Sequence, residues 1–298
     1  RLRSRGLGDV YKRQALALAA TCAACGDNGG SSSTGGEDSN GSSSAAATDD
    51  QSWEKVESAG TLVLGLDDAF PPMGYKDTET GDIIGFDIDI AKEVCSRLGI
   101  ELKLQPIDWN NKQSELENGN VDCLWNGFSK TPERDEQFNL SIPYMKNEQI
   151  ILVKTDSDYQ TLEDLAGKTI GVQADSSAES ALEAEENKEF KDSLGEIVKI
   201  EDYAMAVLEI QNGTIDAISI DEVVARFYLN NDPDAYRILS DSDGNALSLA
   251  TEDYVIGFRK SDNALKEKVE EALREMSSDG TMKTISEEWF GEDVTTVE

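Results

Sequence analysis

The stretch LENGNVDCL at residues 116–124 has a close counterpart, IQNGTIDAI, at residues 210–218. Both stretches follow the order apolar, x, Asn, Gly, x, apolar, Asp, x, apolar. A glycine ends a helix readily because it adopts the left-handed backbone without steric cost, and the alternating apolar residues after it indicate a strand. The chain therefore carries the same helix, turn and strand unit twice, which predicts two similarly built lobes.

Around each copy, strand-like runs alternate with segments of helical period, an order typical of an α/β domain with a largely parallel sheet. In the first lobe we predict the strand Thr61–Leu66, the helix Phe86–Leu98, the strand Glu101–Pro106, the helix Asn111–Asn118 and the strand Val121–Trp125. In the second lobe we predict the strand Lys168–Gln173, a helix from Ser176, the strand Glu196–Ile200, the helix Ala204–Asn212 and the strand Ile215–Ile220. One β-α-β-α-β order is thus expected in both lobes.

Two further apolar runs, Glu148–Lys154 and Asp253–Lys260, follow the first and the second lobe. If both runs cross between the lobes, the C-terminal segment returns to the first lobe and a two-strand hinge results. We therefore predict a two-lobed α/β fold, with lobe one at residues 53–147 and 249–298 and lobe two at residues 148–248. Ligands of open α/β sheets sit beyond the carboxyl ends of the strands, so the facing lobes predict a cleft.

The composition narrows the classes of protein to consider. A chain of 298 residues, of which 38% are hydrophobic, can bury two cores. Its 60 acidic and 27 basic residues give a formal charge of −33, which opposes binding to nucleic acid and to anionic membrane surfaces and favours a soluble monomer. Histidine is absent, which excludes the commonest general base and any His-based zinc site. We expect no nucleic-acid partner, no metal and no cofactor.

The N-terminal residues differ in character from the rest. Arg1–Gln14 share no compositional character with the residues that follow, and we interpret them as a truncated or artefactual start that takes no part in the fold. Residues 1–25 thus comprise this start, a signal peptide and a lipobox. The run ALALAATCAAC is too short to span a membrane and indicates the end of the signal peptide. The Ala-Ala-Cys-Gly sequence around Cys25 resembles a lipobox, in which Cys25 carries the lipid; an ordinary secretory signal is the alternative. Residues 26–52, rich in Gly, Ser and acids, predict a disordered tether.

Two cysteines, Cys95 and Cys123, lie in the part of the chain that we expect to be globular. They can form a disulfide or remain buried free thiols in separate elements. The sequence leaves both states open, and two buried free thiols are the simpler interpretation.

Six segments, taken in order, resemble the polar amino-acid family of periplasmic-type solute-binding proteins. They are DDAFPPMGYKD (67–77), GFDIDIAKEV (85–94), NGFSKTPER (126–134), GKTIGVQADSSAE (167–179), IDEVVA (220–225) and SSDGTMKTISEEWFG (277–291). The resemblance covers about Trp53 to Phe290. It implies a type II periplasmic-binding-protein (Venus-flytrap) fold and a non-enzymatic protein that captures a free polar L-amino acid. The partners that it implies are an ABC importer permease and its ATPase, and the implied location is extracytoplasmic, lipid-anchored at the outer face of the bacterial cell membrane or in the periplasm.

The resemblance also implies how the amino-acid backbone is recognised. An arginine at the place of Arg134 forks onto the ligand carboxylate, a task that suits the planar guanidinium better than an ammonium group. Without the resemblance, Arg134 would be interpreted as a surface residue paired with Glu133 or Asp135. Backbone N–H groups at Ser177 would add donors to the same carboxylate, and N-capping of the helix by serine is compatible with that role.

At the other end of the ligand, Asp221 would hold the ammonium group, with help from the Ser129 hydroxyl and the Gly127 carbonyl. The competing role for Asp221 is to cap the helix that follows it. Both roles are open on the sequence alone.

Aromatic residues would form the wall of the side-chain pocket. Phe70 and Trp109 are the candidates, whereas Trp125, on an apolar strand, is expected in the core. The remaining predicted cleft residues are Asn126, Ser176 and Asp67. Many relatives carry a serine pair at Asn126-Gly127, so the resemblance leaves the ligand side chain open.

Two other functions compete with transport. Dehydratases of prephenate-like acids resemble this scaffold, and Asp67, Asp68 or Asp221 would be the acid that such an enzyme needs. A ligand-sensing domain that acts through a partner is the other alternative.

Overall fold

The structure, a computed structural model, describes residues 50–298. The predicted signal peptide, the lipidation residue Cys25 and residues 26–49 of the predicted tether lie outside the described residues. Residues 50–52, which we placed at the end of the tether, belong to the folded unit: Ser52 is the first residue of the first helix, and Asp50 and Gln51 precede it directly.

Strands and helices alternate through the described chain. The strands are β1 Thr61–Leu66, β2 Ala69–Phe70, β3 Gly74–Lys76, β4 Ile83–Ile84, β5 Glu101–Pro106, β6 Cys123–Ser129, β7 Asn139–Leu140, β8 Met145–Lys154, β9 Thr169–Gln173, β10 Glu196–Ile200, β11 Ala217–Asp221, β12 Tyr236–Ile238 and β13 Ser248–Phe258. The α-helices are α1 Ser52–Ala59, α2 Phe86–Leu98, α3 Lys112–Glu117, α4 Pro132–Gln137, α5 Ser177–Glu183, α6 Lys188–Ser193, α7 Tyr203–Asn212, α8 Glu222–Asn231, α9 Asn263–Asp279 and α10 Thr281–Phe290.

The main sheet repeats one strand order. In lobe one, β1 lies between β5 and β6, and all three strands are parallel. In lobe two, β9 lies between β10 and β11, again in parallel. Each lobe therefore has its first long strand flanked by the next two, as expected from the repeated order along the chain.

The hinge consists of β8 and β13, which pair antiparallel in the centre of the sheet from Met145 opposite Tyr254 to Ile150 opposite Ser248. Strand β8 also pairs with β11 of lobe two, and β13 pairs with β6 of lobe one. Both predicted crossing runs thus lie side by side, and the two-lobed α/β fold with a two-strand hinge is confirmed.

The repeated stretch that predicted two lobes has the same structural role in each of them. The glycine of each copy has a left-handed backbone, with φ of 74° and 73°. The N–H of Asp122 donates to the Val63 carbonyl (2.7 Å), and its carboxylate accepts from the Val63 N–H (3.0 Å). Asp216 makes the same two bonds with Thr169, at 2.8 and 2.9 Å. Each aspartate fastens the third strand of its lobe to the first.

Both ends of the described chain are fastened to helix α9. The Asp50 carboxylate accepts from the Ala264 N–H (2.7 Å), and the Ser52 hydroxyl accepts from the Leu265 N–H (3.0 Å). Near the other end, the Ser277 hydroxyl donates to the Val297 carbonyl (2.7 Å). Because α9 packs against α1, α2 and α10, both ends belong to lobe one.

Several predicted strands differ from the structure in their bounds, among them β13, which is Ser248–Phe258 instead of Asp253–Lys260, and one of the differences affects the cleft. We expected Val121–Trp125, with residues 126–129 beyond the strand end, whereas β6 begins at Cys123 and runs to Ser129. The strand is longer because β13 pairs with it again near its end, with Tyr254 opposite Ser129. That partner comes from the far end of the chain and is invisible to a local pattern.

The described residues also bear on the cysteines and on membrane spanning. Cys95 and Cys123 are both free and buried. The expected core position of Trp125 is confirmed, since its side chain is fully buried. Between residues 50 and 298, no helix combines the length and the apolar character needed to cross a membrane.

Candidate functional site

A narrow cavity lies between the lobes, at the carboxyl ends of the parallel strands. It is lined by Asp67, Phe70, Trp109, Asn126, Gly127, Arg134, Gln173, Ser176, Ser177 and Asp221. Nine of these ten lining residues were predicted for the cleft from the sequence, and Gln173 was missed. Ser129, which was also predicted, lies behind the wall, where its hydroxyl accepts a hydrogen bond from the Ser177 hydroxyl (3.0 Å).

Arg134 reaches the cavity from helix α4. Thr131 caps this helix, with its hydroxyl accepting from the Arg134 N–H (3.2 Å). The Arg134 side chain is buried and stacks on the Phe128 ring, 4.4 Å from its centre, while donating to the Ser129 carbonyl (3.0 Å). The surface ion pair with Glu133 or Asp135 is absent from the described residues, and Asp135 lies 3.6 Å from Lys130 instead. Burial lowers the pKa of Arg134, yet a guanidinium remains charged in proteins.

Asp221 ends strand β11 and stands at the start of helix α8. Its side chain makes no capping bond to that helix. Instead, the carboxylate accepts from Asn147 Nδ2 (2.7 Å), Gln149 Nε2 (2.8 Å) and the Tyr254 hydroxyl (2.8 Å). Burial, reinforced by the nearby Glu252, raises the pKa of Asp221 to about 7. No cationic side chain among residues 50–298 pairs with Asp221, so this buried acid remains available to a cation.

Gln149 and Glu252 belong to this site, and our sequence analysis did not find them. Both lie in the hinge, and Gln149 Nε2 donates to Asp221, to Glu252 Oε2 (2.9 Å) and to the Ser177 hydroxyl (3.1 Å). One amide group thus joins two carboxylates from different strands. The available signal was a polar residue inside the apolar run of β8, at a position where a fully buried strand would otherwise be apolar.

The two serines at the start of α5 have different roles. The Ser176 hydroxyl caps the helix by accepting from the Glu179 N–H (3.1 Å), so the capping role considered for this pair falls to Ser176. The Ser177 hydroxyl instead makes contacts across the cleft and to the hinge. The pair therefore joins the helix start, the cleft wall and the hinge.

A second acid lies in the cavity wall. The Asp67 carboxylate accepts from Gln173 Nε2 (2.6 Å) and from the Ala69 N–H (2.9 Å), and burial raises its pKa to about 6. The Phe70 ring lies nearby in the same wall and packs against Tyr203 of lobe two, with ring centres 5.7 Å apart. This wall combines apolar surface with a buried hydrogen-bond acceptor.

The lobes touch across the mouth of the cleft. Lys112 of lobe one is buried, pairs with the Asp175 carboxylate and donates to the Asp175 carbonyl (2.8 Å). Arg134 donates to the same carbonyl (3.3 Å). Asp175 has φ of 58°, a left-handed conformation that residues with a side chain adopt at a cost and that is usually held by surrounding contacts. The two lobes are therefore closed on each other, and two cations of lobe one, Lys112 and Arg134, donate to the same carbonyl of lobe two.

The charges in the cavity define what it can bind. Arg134 provides a cation in lobe one, Asp221 provides an acid in lobe two, and Asp67 adds an acid in the wall. Among the described residues there is no group of three or more Cys, Asp or Glu side chains arranged to hold a metal ion. This arrangement suits a small molecule that carries both an anionic and a cationic group.

Known proteins share this fold at substantial identity. The arginine-binding extracellular protein of Bacillus subtilis (strain 168) is 33% identical over 233 residues, which cover 77% of this chain and 86% of the relative. The crystal structure of an ABC uptake transporter substrate-binding protein from Streptococcus pneumoniae with bound histidine superposes with a TM-score of 0.77, at 37% identity over 84% of this chain and 99% of that chain.

A third neighbour bears on the enzyme alternative. The ancestral amino-acid-binding protein described as a precursor of cyclohexadienyl dehydratase gives a TM-score of 0.70 at 31% identity, over 80% of this chain and 98% of that chain. The scaffold therefore occurs close to an enzyme lineage, although that neighbour is itself an amino-acid-binding protein.

The family assignment follows from the extent of the match. The model of the bacterial extracellular solute-binding proteins, family 3, matches residues 62–292, nearly all of the described unit, and the chain therefore belongs to that family.

Proposed function

We propose that this protein captures a free polar L-amino acid between its two lobes and delivers it to the permease and ATPase of an ABC importer. The observation that carries the proposal is that Arg134 of lobe one and Asp221 of lobe two line one cavity, while neither has an ion-pair partner among residues 50–298. A zwitterion offers a carboxylate to the first and an ammonium group to the second. Only a closed cleft satisfies both charges.

The side chain of the ligand should be polar. Asp67 places a buried carboxylate in the cavity wall, and its oxygens can accept further hydrogen bonds from a ligand side chain with N–H donors. The relatives named above bind arginine and histidine, whose side chains both have such donors. Phe70 and Trp109 would pack against the apolar part of the same side chain.

A thermal-shift screen tests the proposal. Each proteinogenic L-amino acid and its D-enantiomer is added in excess, and the unfolding midpoint is measured. A ligand at about 100 times its Kd adds about 2.7 kcal/mol of stability, so L-forms of some polar amino acids should raise the midpoint clearly. If no amino acid raises it, the proposed function is wrong.

The variant Asp221→Asn separates binding from folding. The side chain makes no capping bond, so Asn should fold as the wild type does, but it leaves the ligand ammonium unmatched. Such losses cost about 2–5 kcal/mol, or roughly 30-fold to several thousand-fold in affinity. Calorimetric titration with the best amino acid of the screen measures this. Wild-type affinity in Asp221→Asn would remove Asp221 from the site.

We also propose a lipid anchor at Cys25, on the basis of the lipobox-like sequence and the Gly- and Ser-rich residues after it. The protein would then be held at the outer face of the membrane. Expressed in a bacterium behind a functional lipoprotein signal sequence, the wild type should partition into detergent, and Cys25→Ala should not. Equal partition of the two proteins would leave the proposal without support.

A dehydratase-like activity is the second candidate, because the cavity contains two acids with pKa values raised to about 6 and about 7. Such groups can act as general acids near neutral pH. Incubation with prephenate, followed by mass spectrometry, distinguishes the functions. A binding protein returns amino acids unchanged and leaves prephenate intact, whereas loss of water and carbon dioxide from prephenate would establish the enzyme.

A further inference from the structure

The wall of the cavity includes a segment of β6 that leaves the sheet. Strand β6 pairs with β13 at Leu124 opposite Gly257 and at Phe128 opposite Val255. Three residues of β6, 125–127, therefore face a single residue of β13. Pairing of β6 with β1 also stops at Leu124. Residues 125–127 thus form a bulge, and their backbone groups must find partners outside the two neighbouring strands.

Gly127 is the residue of the bulge with the least freedom. Its φ of 57° is in the left-handed region, and a β-carbon there would lie 2.7 Å from the Phe70 ring and 3.1 Å from the Tyr254 ring. Only glycine fits this conformation in this space. Since Gly127 lines the cavity together with Asp221, its backbone sets the shape of the ammonium end of the site.

The partner of the Gly127 N–H is a carboxylate from another element. Asp87, in the first turn of helix α2, accepts from the Gly127 N–H at 2.7 Å through Oδ2. The Tyr144 hydroxyl donates to the same oxygen at 2.9 Å. Asp87 is fully buried in lobe one and does not line the cavity. Burying a carboxylate costs free energy, and burial raises the pKa of Asp87 to about 7, so its two hydrogen bonds must offset part of that cost.

We propose that Asp87 is a positioning residue for ligand recognition: it holds the Gly127 peptide in the left-handed bulge and so fixes the cavity wall beside Asp221. The inference rests on the proposed function, because the wall has this meaning only if an amino acid binds there. Asp87 touches no ligand in this account and acts through the backbone of Gly127. When Asp87 is ionised, its hydrogen bond with the Gly127 N–H is shorter and stronger than one between neutral groups, which suits a carboxylate to this task.

Three variants separate positioning from general stability. Asp87→Leu removes the acceptor, Asp87→Asn keeps one oxygen for the Gly127 N–H, and Tyr144→Phe removes the other donor to Asp87 while leaving the bulge bond in place. Affinity is measured by calorimetry for the L-amino acid that stabilises the wild type most in the screen of the common L-amino acids. We expect a loss of more than about tenfold in Asp87→Leu, and less than about threefold in Asp87→Asn and Tyr144→Phe.

A second measurement, by NMR, requires neither a ligand nor the Asp87→Leu variant. In protein labelled with ¹⁵N-glycine, the Gly127 amide proton of the wild type should resonate downfield, as expected for a bond to a carboxylate, and should move upfield in Asp87→Asn. Gly119, in the left-handed turn after α3, is the internal control and should not move. An unmoved Gly127 resonance, or equal affinity losses in Asp87→Leu and Tyr144→Phe, would overturn the proposal.

The two proposals can fail separately. If the wild type binds no amino acid, the proposed function falls, and with it the role of Asp87 in recognition, while the Gly127 resonance still decides whether Asp87 holds the bulge. If the wild type binds and all three variants bind equally well, the proposed function stands and the role of Asp87 is refuted.

Discussion

At the scale of single residues, Asp221 links ligand binding to pH. Its pKa is raised to about 7 by burial and by Glu252, and it must be ionised to bind an ammonium group. Affinity should therefore fall as the pH drops below about 7, by roughly tenfold between pH 8 and pH 6. Calorimetric titrations across that range, in buffers of different ionisation enthalpy, measure both the affinity and the proton released on binding.

The titratable and charged groups around Asp221 determine whether the pH dependence of binding can be assigned to Asp221 itself. They are Glu252 of β13, Tyr254 of β13, Tyr203 of α7 and Arg134 of α4. Burial raises the pKa values of both tyrosines further above neutral, and the guanidinium stays charged, so none of these three groups titrates near neutral pH. The affinity that remains in Asp221→Asn should therefore depend much less on pH than the affinity of the wild type. If the pH dependence is the same in this variant, the titrating group is not Asp221.

A second residue-scale prediction concerns Arg134. Replacing it by lysine keeps the charge but loses the planar fork and the stacking on Phe128, so Arg134→Lys should fail nearly as badly as Arg134→Ala. We expect a loss on the order of 2–5 kcal/mol in binding free energy for both variants, measured by titration calorimetry. The matched control is Lys130→Ala, an exposed cation of the same lobe, which should bind as the wild type does. Strong binding by Arg134→Lys would show that charge alone suffices.

How much of the site was predictable differs from residue to residue. Arg134 and Asp221 follow strand ends or helix starts and fall within segments that resemble a family, so their positions could be inferred. The partners of Gln149 and Asp87 could not be inferred, because each side chain finds its partner 40 or more residues away along the chain. Their roles depend on three-dimensional neighbours that a linear pattern does not contain.

At the scale of elements, the loop that joins β9 to α5 connects the lobes. Lys112 of α3 reaches Asp175 in this loop, a contact that exists only when the lobes are closed. Lys112→Met keeps the length of the buried side chain but removes this contact. We expect an affinity about threefold to tenfold weaker, mainly through faster ligand dissociation, as measured by stopped-flow fluorescence.

The control for this prediction is Lys130→Met, since Lys130 pairs with Asp135 within lobe one and bridges no cleft. It should leave the dissociation rate unchanged. If Lys112→Met slows association and leaves dissociation unaltered, the contact does not act as a latch on the closed state.

The elements themselves were predicted unevenly. Strands β1, β5 and β10 and helix α2 match the sequence-based bounds residue for residue. Glycine or acidic residues bound β1, β10 and α2, and β5 alternates apolar and polar residues before it ends at a proline. Strand β6 does not match, since its bulge and its extension depend on β13 and on Asp87. The local sequence pattern predicts the bounds of an element well when neighbouring elements only pack on it. It predicts them poorly when a neighbouring strand changes the pairing or introduces a bulge.

At the scale of the whole molecule, buried acids should make the ligand-free protein less stable as the pH rises. Asp67, Asp87 and Asp221 have pKa values raised to about 6, 7 and 7 by burial, whereas the unfolded chain ionises them near 4. Between these values the folded state retains protons that the unfolded state releases. Stability is therefore full below about pH 4 for these groups and is lost as the pH rises through 6 to 7.

Thermal unfolding of the empty protein at pH 5 and at pH 7.5 checks this expectation. The net charge of −33 acts in the same direction through self-repulsion, so the comparison with Asp221→Asn isolates the buried acid. The variant should lose less stability between the two pH values than the wild type does. Identical losses would show that the general charge, and not Asp221, governs the pH response.

The paired attachment of both chain ends to α9 has a mechanical consequence. A pull on the chain ahead of Asp50 loads the start of α9 through Asp50 and Ser52, and the load stays within lobe one. Tension at the N-terminal end is therefore carried by α9 and the helices packed against it, and does not act directly on lobe two. Opening and closing would then proceed by thermal motion alone, at the same rate for a chain held by that end as for one free in solution.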